Sequence, residues 1–233
     1  MIPIKFGYLI GVLAGTVEWL WVLLARKDLR KIMLGFGIVL SIIGMFMAYF
    51  WWTTDWWHPA TITGTKVGIE DFISGVGIVG ITVAIYAVTF KKKIVGVASV
   101  SYKKLFFRGL LLVEFILATY IFIHFFRFPT FYSVYLSMLI GSIVIFINRR
   151  DLIIPGLATG VLIVILMAPI YWVIILTTPH WVEATYNFNH LSGILITGIP
   201  VEELMFFLFW GMFLGPFYEY WTGARFEPYK LKK

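Results

Sequence analysis

The chain contains no cysteine, so disulfide bonds, thiolate catalysis and cysteine-ligated iron–sulfur clusters are excluded. It is also poor in charge. Only 13% of its 233 residues are Asp, Glu, Lys or Arg, against roughly a quarter in a soluble domain. Histidine occurs four times and never in a His-x-x-His or Glu-x-x-His spacing, so no tight metal motif is present. There is no Walker loop, Gly-x-Ser-x-Gly elbow or Asp-rich diphosphate motif. Gly75, Gly77 and Gly80 form no dinucleotide loop; they lie inside an apolar run, where small residues let helices approach closely.

Apolar residues are abundant instead. They make up 61% of the chain, with 22 Phe and 10 Trp. They fall in blocks long enough to span a bilayer, which takes roughly 20 helical residues. The blocks are Phe6–Ala25, Ile32–Trp52, Ile69–Phe90, Leu105–Phe126, Phe131–Ile147, Leu152–Leu176 and Ile199–Trp221. The first does not read as a signal peptide, because it lacks a basic leader and a small-residue cleavage site, and Glu18 interrupts it.

The formal net charge of +7 reflects topology rather than nucleic-acid binding. With the N-terminus outside, sixteen of the nineteen Lys and Arg residues fall on the cytoplasmic side. These are Arg26, Lys27, Arg30, Lys31, Lys91–Lys93, Lys103, Lys104, Arg108, Arg149, Arg150, Arg225, Lys230, Lys232 and Lys233. Lys5, Lys66 and Arg127 remain outside. Six or eight spans break this alternation. The expectation is an all-α, multi-pass protein of the cell membrane with seven transmembrane helices, N-terminus out and C-terminus in.

The chain repeats itself. The doublet Glu70-Asp71 recurs as Glu202-Glu203, and the same offset pairs His58 with His190, Asp55 with Asn187, Thr65 with Thr197 and Tyr86 with Tyr218. Upstream, Arg26-Lys27-Asp28-Leu29 resembles Arg149-Arg150-Asp151-Leu152 at a somewhat shorter offset. Two parallel three-helix repeats follow, residues 1–90 and 131–233, joined over 91–130 by a basic cytoplasmic loop and a linking helix. Their pseudo-two-fold axis runs along the membrane normal.

The two acidic doublets carry the chemistry. Ionisable groups at membrane depth usually face a bundle interior or a wet cavity. Neighbouring carboxyls point about 100° apart on a helix, so one can face a cavity while the other supports it. The plain alternative is a pair of interfacial helix caps; recurrence at matched positions favours a functional site. The preceding loops, Trp51–Pro59 and His180–His190, are polar and aromatic, and most of their Trp residues suit an interfacial belt. His58 and His190 serve better as partners of the carboxylates than as metal ligands. Glu18 and Glu114 lie within membrane segments, each either a proton acceptor or a structural hydrogen-bond partner. Glu219, between Tyr218 and Tyr220, reads as interfacial.

The stretch Tyr186-Asn187-Phe188-Asn189-His190, followed by Gly198-Ile199-Pro200-Val201-Glu202-Glu203-Leu204-Met205-Phe206-Phe207, resembles the Pro-x-Glu-(Glu/Asp)-x-x-Phe signature of the membrane-embedded lycopene cyclases, in their fused two-domain form. That family too is a tandem of three-helix domains. The first half departs from the signature: Gly68 stands for Pro, Ser74-Gly75 replace the Phe pair, and Ala87 takes the place matching Glu219.

The resemblance implies carotenoid biosynthesis: acid-catalysed, redox-neutral cyclisation of the linear end groups of lycopene, an isomerase-type intramolecular lyase reaction needing no cofactor. The partners it implies are a lipid-soluble carotenoid and membrane lipid, and no nucleic acid. It points to Glu202 as proton donor, with Glu203, Glu70 and Asp71 beside it. His58, His190, Asn187, Asn189, Phe206 and Phe207 are the candidate substrate-contacting or supporting residues. Two other readings share the same features: a carotenoid or isoprenoid hydratase that quenches the cation with water, and a seven-helix transporter or receptor that forms no product.

Overall fold

The computed structural model describes residues 2–96 and 101–229. Lys230, Lys232, Lys233 and the middle of the expected Lys91–Lys104 loop lie outside those residues. The described chain is a helical bundle with two small two-stranded ladders. The helices are α1 (Gly7–Ala25), α2 (Arg30–Met47), α3 (Thr53–Asp55), α4 (Ile69–Thr82), α5 (Ile85–Thr89), α6 (Tyr102–His124), α7 (Thr130–Asn148), α8 (Ile153–Thr177), α9 (Trp181–Thr185), α10 (Val201–Leu214) and α11 (Phe217–Thr222). The strands are β1 (Lys92–Val95), β2 (Leu195–Ile196), β3 (Ile199–Pro200) and β4 (Arg225–Pro228).

Among the described residues, six helices are long and apolar enough to cross a membrane: Ile4–Ala25, Arg30–Asp55, Phe106–His124, Thr130–Asn148, Arg150–Thr177 and Val201–Thr222. Their outward faces are apolar, as at Leu13, Trp21, Phe46 and Leu176. Patches of that extent mark a surface that meets lipid rather than water. The third expected span, Ile69–Phe90, does not form one long helix; it divides into α4 and α5. At the break the Thr82 hydroxyl donates back to the Ile78 carbonyl at 2.6 Å. Such back-bonding bends helices. Beyond it Ala84 bonds Ile81, three residues back, in place of the α-helical pattern. In the second half the break between α10 and α11 falls at the matching positions of the repeat, Gly215 and Pro216, where proline has no N–H to continue the ladder.

Corresponding elements pack in corresponding ways. α4 packs on α1 and α2, and α10 packs on α7 and α8. The α8–α10 contact is backbone to backbone: a Cβ on Gly211 would meet Gly160 Cα at 2.6 Å. Small residues at such crossings give close van der Waals packing where lipid offers no hydrophobic drive.

At the end of the bundle opposite the acidic doublets, two arginine clasps close the halves. Arg26 holds Asp28 through Nε at 2.9 Å and Nη2 at 2.8 Å, and donates to the carbonyls of Ala87 and Lys92 at 3.0 and 2.7 Å. Arg149 holds Asp151 at 2.8 and 2.7 Å and donates to the carbonyls of Glu219 and Ala224 at 3.2 and 3.0 Å. The accepting carbonyls are paired by the same offset as the doublets. Just beyond them β1 pairs antiparallel with β4, with Lys92 opposite Pro228 and Val95 opposite Arg225. At the doublet end the two loops also join: His58 N–H donates to the Thr185 carbonyl at 2.7 Å, and Asn187 N–H to the Trp56 carbonyl at 2.9 Å.

Candidate active site

The loop before α10 is a tight hairpin. β2 and β3 pair across Thr197 and Gly198, both with positive φ (53° and 86°), as a two-residue hairpin turn requires. Gly supplies this freely; Thr197 is an uncommon residue there. The hairpin delivers Pro200 to the N-cap of α10.

Each doublet divides its two carboxyls between two tasks. Glu70 and Glu202 are 1% and 2% exposed. Glu70 accepts the backbone N–H of Ile62, and Glu202 accepts that of Ser192 at 2.6 Å. Each therefore ties its helix to the loop that precedes it. The second members, Asp71 and Glu203, lie one residue on and face a shared cavity of about 170 Å³. Asp71 accepts the Tyr8 hydroxyl at 2.9 Å and the Gly68 backbone N–H at 2.7 Å. Glu203, 7% exposed, accepts the Tyr171 hydroxyl at 2.8 Å. Tyr171 in turn shares a 2.6 Å hydrogen bond with Tyr186. Burial first, and then the Glu203 carboxyl, push the Tyr186 hydroxyl well above the usual tyrosine range, so it stays a proton-bearing donor.

The difference between the halves follows from their N-caps. Gly68 has an N–H to give Asp71, completing a helix-capping pair. Pro200 has none. Glu203, one methylene longer than aspartate, reaches Tyr171 on α8 instead. Gly68 is not simply a loose joint. Its φ of −117° is ordinary, but a Cβ there would sit 2.5 Å from Glu70 Oε2 and 3.1 Å from Thr61 Cβ.

The cavity lies between α1, α2 and α4 of the first half and α8 and α10 of the second. Its walls are aromatic: Trp52, Trp56, Trp57, Phe206, Phe207 and Trp210 line it. Trp56 and Phe206 meet edge to face at 5.0 Å, and Phe206 and Trp210 lie 5.5 Å apart. Such pairs add about 0.5–1.5 kcal/mol each beyond the area they bury. Trp210 Nε1 donates to Thr82 Oγ1 at 3.0 Å, locking one half to the other beside the cavity. No Lys, Arg or His lines it. Neither carboxyl has an ion-pair partner among the described residues, and the second oxygen of Glu203 is buried there without a hydrogen-bond partner.

The sequence candidates separate accordingly. Glu203, Asp71, Phe206 and Phe207 line the cavity; Glu70 and Glu202 stand behind it. His58, Asn189 and His190 are exposed on the loops over the doublet end, and Asn187 is half-buried where those loops cross. No group of three His, Asp or Glu among the described residues is close enough to hold a metal ion. Glu18 is half-buried on α1 and Glu114 exposed on α6, both away from the cavity. Glu219 is fully buried within the protein, and Arg149 holds its backbone carbonyl at 3.2 Å. Tyr8 and Tyr171 were not among the sequence candidates; Tyr171 carries the one hydroxyl ring in the long apolar run of α8.

Fold and site define a helical membrane protein with an acid-bearing aromatic chamber. Residues 129–221 match the model of the lycopene cyclase family. Neither the curated proteins nor the solved structures give a match.

Proposed function

We propose that the whole chain is a fused, two-half lycopene cyclase of the cell membrane, with α4 and α5 together forming a seventh span, the N-terminus outside and the C-terminus inside. Its reaction is the redox-neutral cyclisation of the linear end group of lycopene, an intramolecular lyase type of isomerisation. Glu203 is the proton donor. The observation that carries this is its placement: a carboxyl on an aromatic chamber, held by the Tyr171 hydroxyl and facing no cation. A buried carboxyl without a cationic partner is more readily accommodated neutral, which leaves a proton to give.

Protonating the terminal double bond makes a tertiary carbocation. Trp52, Trp56, Phe206 and Trp210 present rings to it; a desolvated cation–π contact contributes about 2 kcal/mol. The scarcity of polar wall favours ring closure over capture by water. Glu202 and Glu70 hold the loops that shape the chamber, so the donor role lies one residue beyond Glu202. Tyr171 and Tyr186 orient the Glu203 carboxyl, and the substrate comes sideways from the lipid.

Expression in a lycopene-accumulating host, with chromatography and mass analysis of the pigments, tests the reading. It expects ring-bearing carotene of unchanged mass. Folded protein that leaves lycopene linear overturns it, and a product heavier by one water selects the hydratase.

A further inference from the structure

We propose that the two halves do not serve one end of the substrate each but act together on a single end group: Glu203 gives the proton and Asp71 removes one, inside one chamber. The inference rests on the cyclase reading and deepens it.

Three observations converge. The two carboxyls come from different halves, at matching positions of the repeat, yet line the same cavity. Each is held there by a tyrosine hydroxyl, Asp71 by Tyr8 at 2.9 Å and Glu203 by Tyr171 at 2.8 Å. The cavity holds about 170 Å³, close to the roughly 150 Å³ that accommodates one benzene. That is room for one six-membered ring, not for two. A symmetric pair of sites would require a second chamber on the other side of the pseudo-axis. A smaller cavity of about 50 Å³, walled by Leu40, Phe115, Met138 and Trp210 among others, has no acidic residue in its described wall.

The chemistry balances. The Glu203 proton adds to the terminal carbon–carbon double bond, leaving a tertiary cation. The neighbouring double bond attacks it, forming the ring bond and moving the charge into the ring. A ring C–H bond breaks, its electrons become the ring double bond, and its proton passes to Asp71. Nothing is oxidised or reduced. Return of that proton from Asp71 to Glu203 resets the site. Asp71 suits the accepting role because Gly68 and Tyr8 both donate to it, which stabilises a carboxylate. Glu203 has no backbone donor, since Pro200 lacks one.

The test compares wild type, Glu203→Gln and Asp71→Asn, first in lycopene-accumulating cells and then as purified folded protein in deuterated water. Thermal melting establishes folding, and Asp71→Glu is a second variant that keeps the carboxyl. The expected result is that Glu203→Gln and Asp71→Asn each lose at least about 10²-fold in ring formation, the scale of a positioned acid or base, and that neither accumulates a one-ring product. Asp71→Glu, which restores a carboxyl to accept the proton, forms rings faster than Asp71→Asn. Asp71→Asn still protonates reversibly and washes deuterium into recovered linear lycopene, whereas Glu203→Gln does not. A one-ring product from either variant where wild type makes two, or ring formation within tenfold of wild type in either, overturns the shared chamber. Deuterium in linear lycopene from both variants or from neither overturns the division of roles. Wild-type protein that leaves lycopene linear instead defeats the cyclase reading itself.

Discussion

Gly68 donates its backbone N–H to the Asp71 carboxylate at 2.7 Å. Pro200, its counterpart in the second half, has no N–H to offer Glu203, which turns to Tyr171 at 2.8 Å. The N-cap residue thus sets the two carboxyls apart. Asp71 is tied to its own helix as well as to Tyr8, whereas Glu203 is bonded to Tyr171 without a tie to its N-cap.

Tyr171→Phe removes that bond with little change in shape. A hydrogen bond between neutral groups contributes about 0.5–1.5 kcal/mol. Turnover of Tyr171→Phe is expected to fall roughly 2- to 10-fold while the melting temperature changes little. Steady-state rates on purified protein, beside a melting curve, check this; an unaltered rate shows that Tyr171 does not position Glu203.

Gly68→Ala tests the packing at the first N-cap. Glu70 can swing its carboxyl away from an added methyl, but Thr61, at 3.1 Å, must shift. Overpacking of this kind costs about 1–3 kcal/mol. The variant is expected to melt at lower temperature and to loosen the Thr61–Lys66 loop in hydrogen exchange. If it melts with wild type, the fit around Gly68 is slack.

The Arg26 clasp gives a pH signature. Its hydrogen bond, and then its charge, hold the Asp28 carboxyl below the usual aspartate range. A depressed pKa means that the clasp stabilises above the unfolded value of about 3.9 and loses this as pH falls through the lower folded value. Asp28→Asn is therefore expected to be less stable than wild type at neutral pH, with the gap closing below about pH 4. Melting curves from pH 7 to pH 3 measure it. A gap that does not change with pH means that the charge on Asp28 does not contribute.

The helical class and the recurring acidic doublets were legible in the sequence, because hydropathy and a fixed offset suffice to find them; Arg26–Leu29 and Arg149–Leu152 were seen to recur at a shorter offset, but not to close clasps. The break at Val83 and Ala84 was not: no proline marks it, whereas Pro216 marks the break between α10 and α11. Nor did the sequence tell which member of each doublet faces inward. The two carboxyls of a doublet are about 100° apart around the helix, and the choice depends on the Pro200 N-cap together with Tyr171, 32 residues from Glu203 in sequence. Tyr8 was hidden for the same reason, being 63 residues from Asp71. The histidines drew notice by their matched offset, yet His58 and His190 lie on the exposed loops.

The central claim is that Glu203, not its neighbour, supplies the proton. The measurement that tests it most directly is turnover of lycopene by purified Glu203→Gln and Glu202→Gln, each confirmed as folded by melting. Glutamine at 202 keeps an oxygen to accept the Ser192 N–H, so that variant is expected to stay within a few-fold of wild type. Glutamine at 203 keeps the shape and removes the acid, so its rate is expected to fall by at least about 10²-fold. A Glu203→Gln enzyme that turns over normally beside an inactive, folded Glu202→Gln contradicts the account.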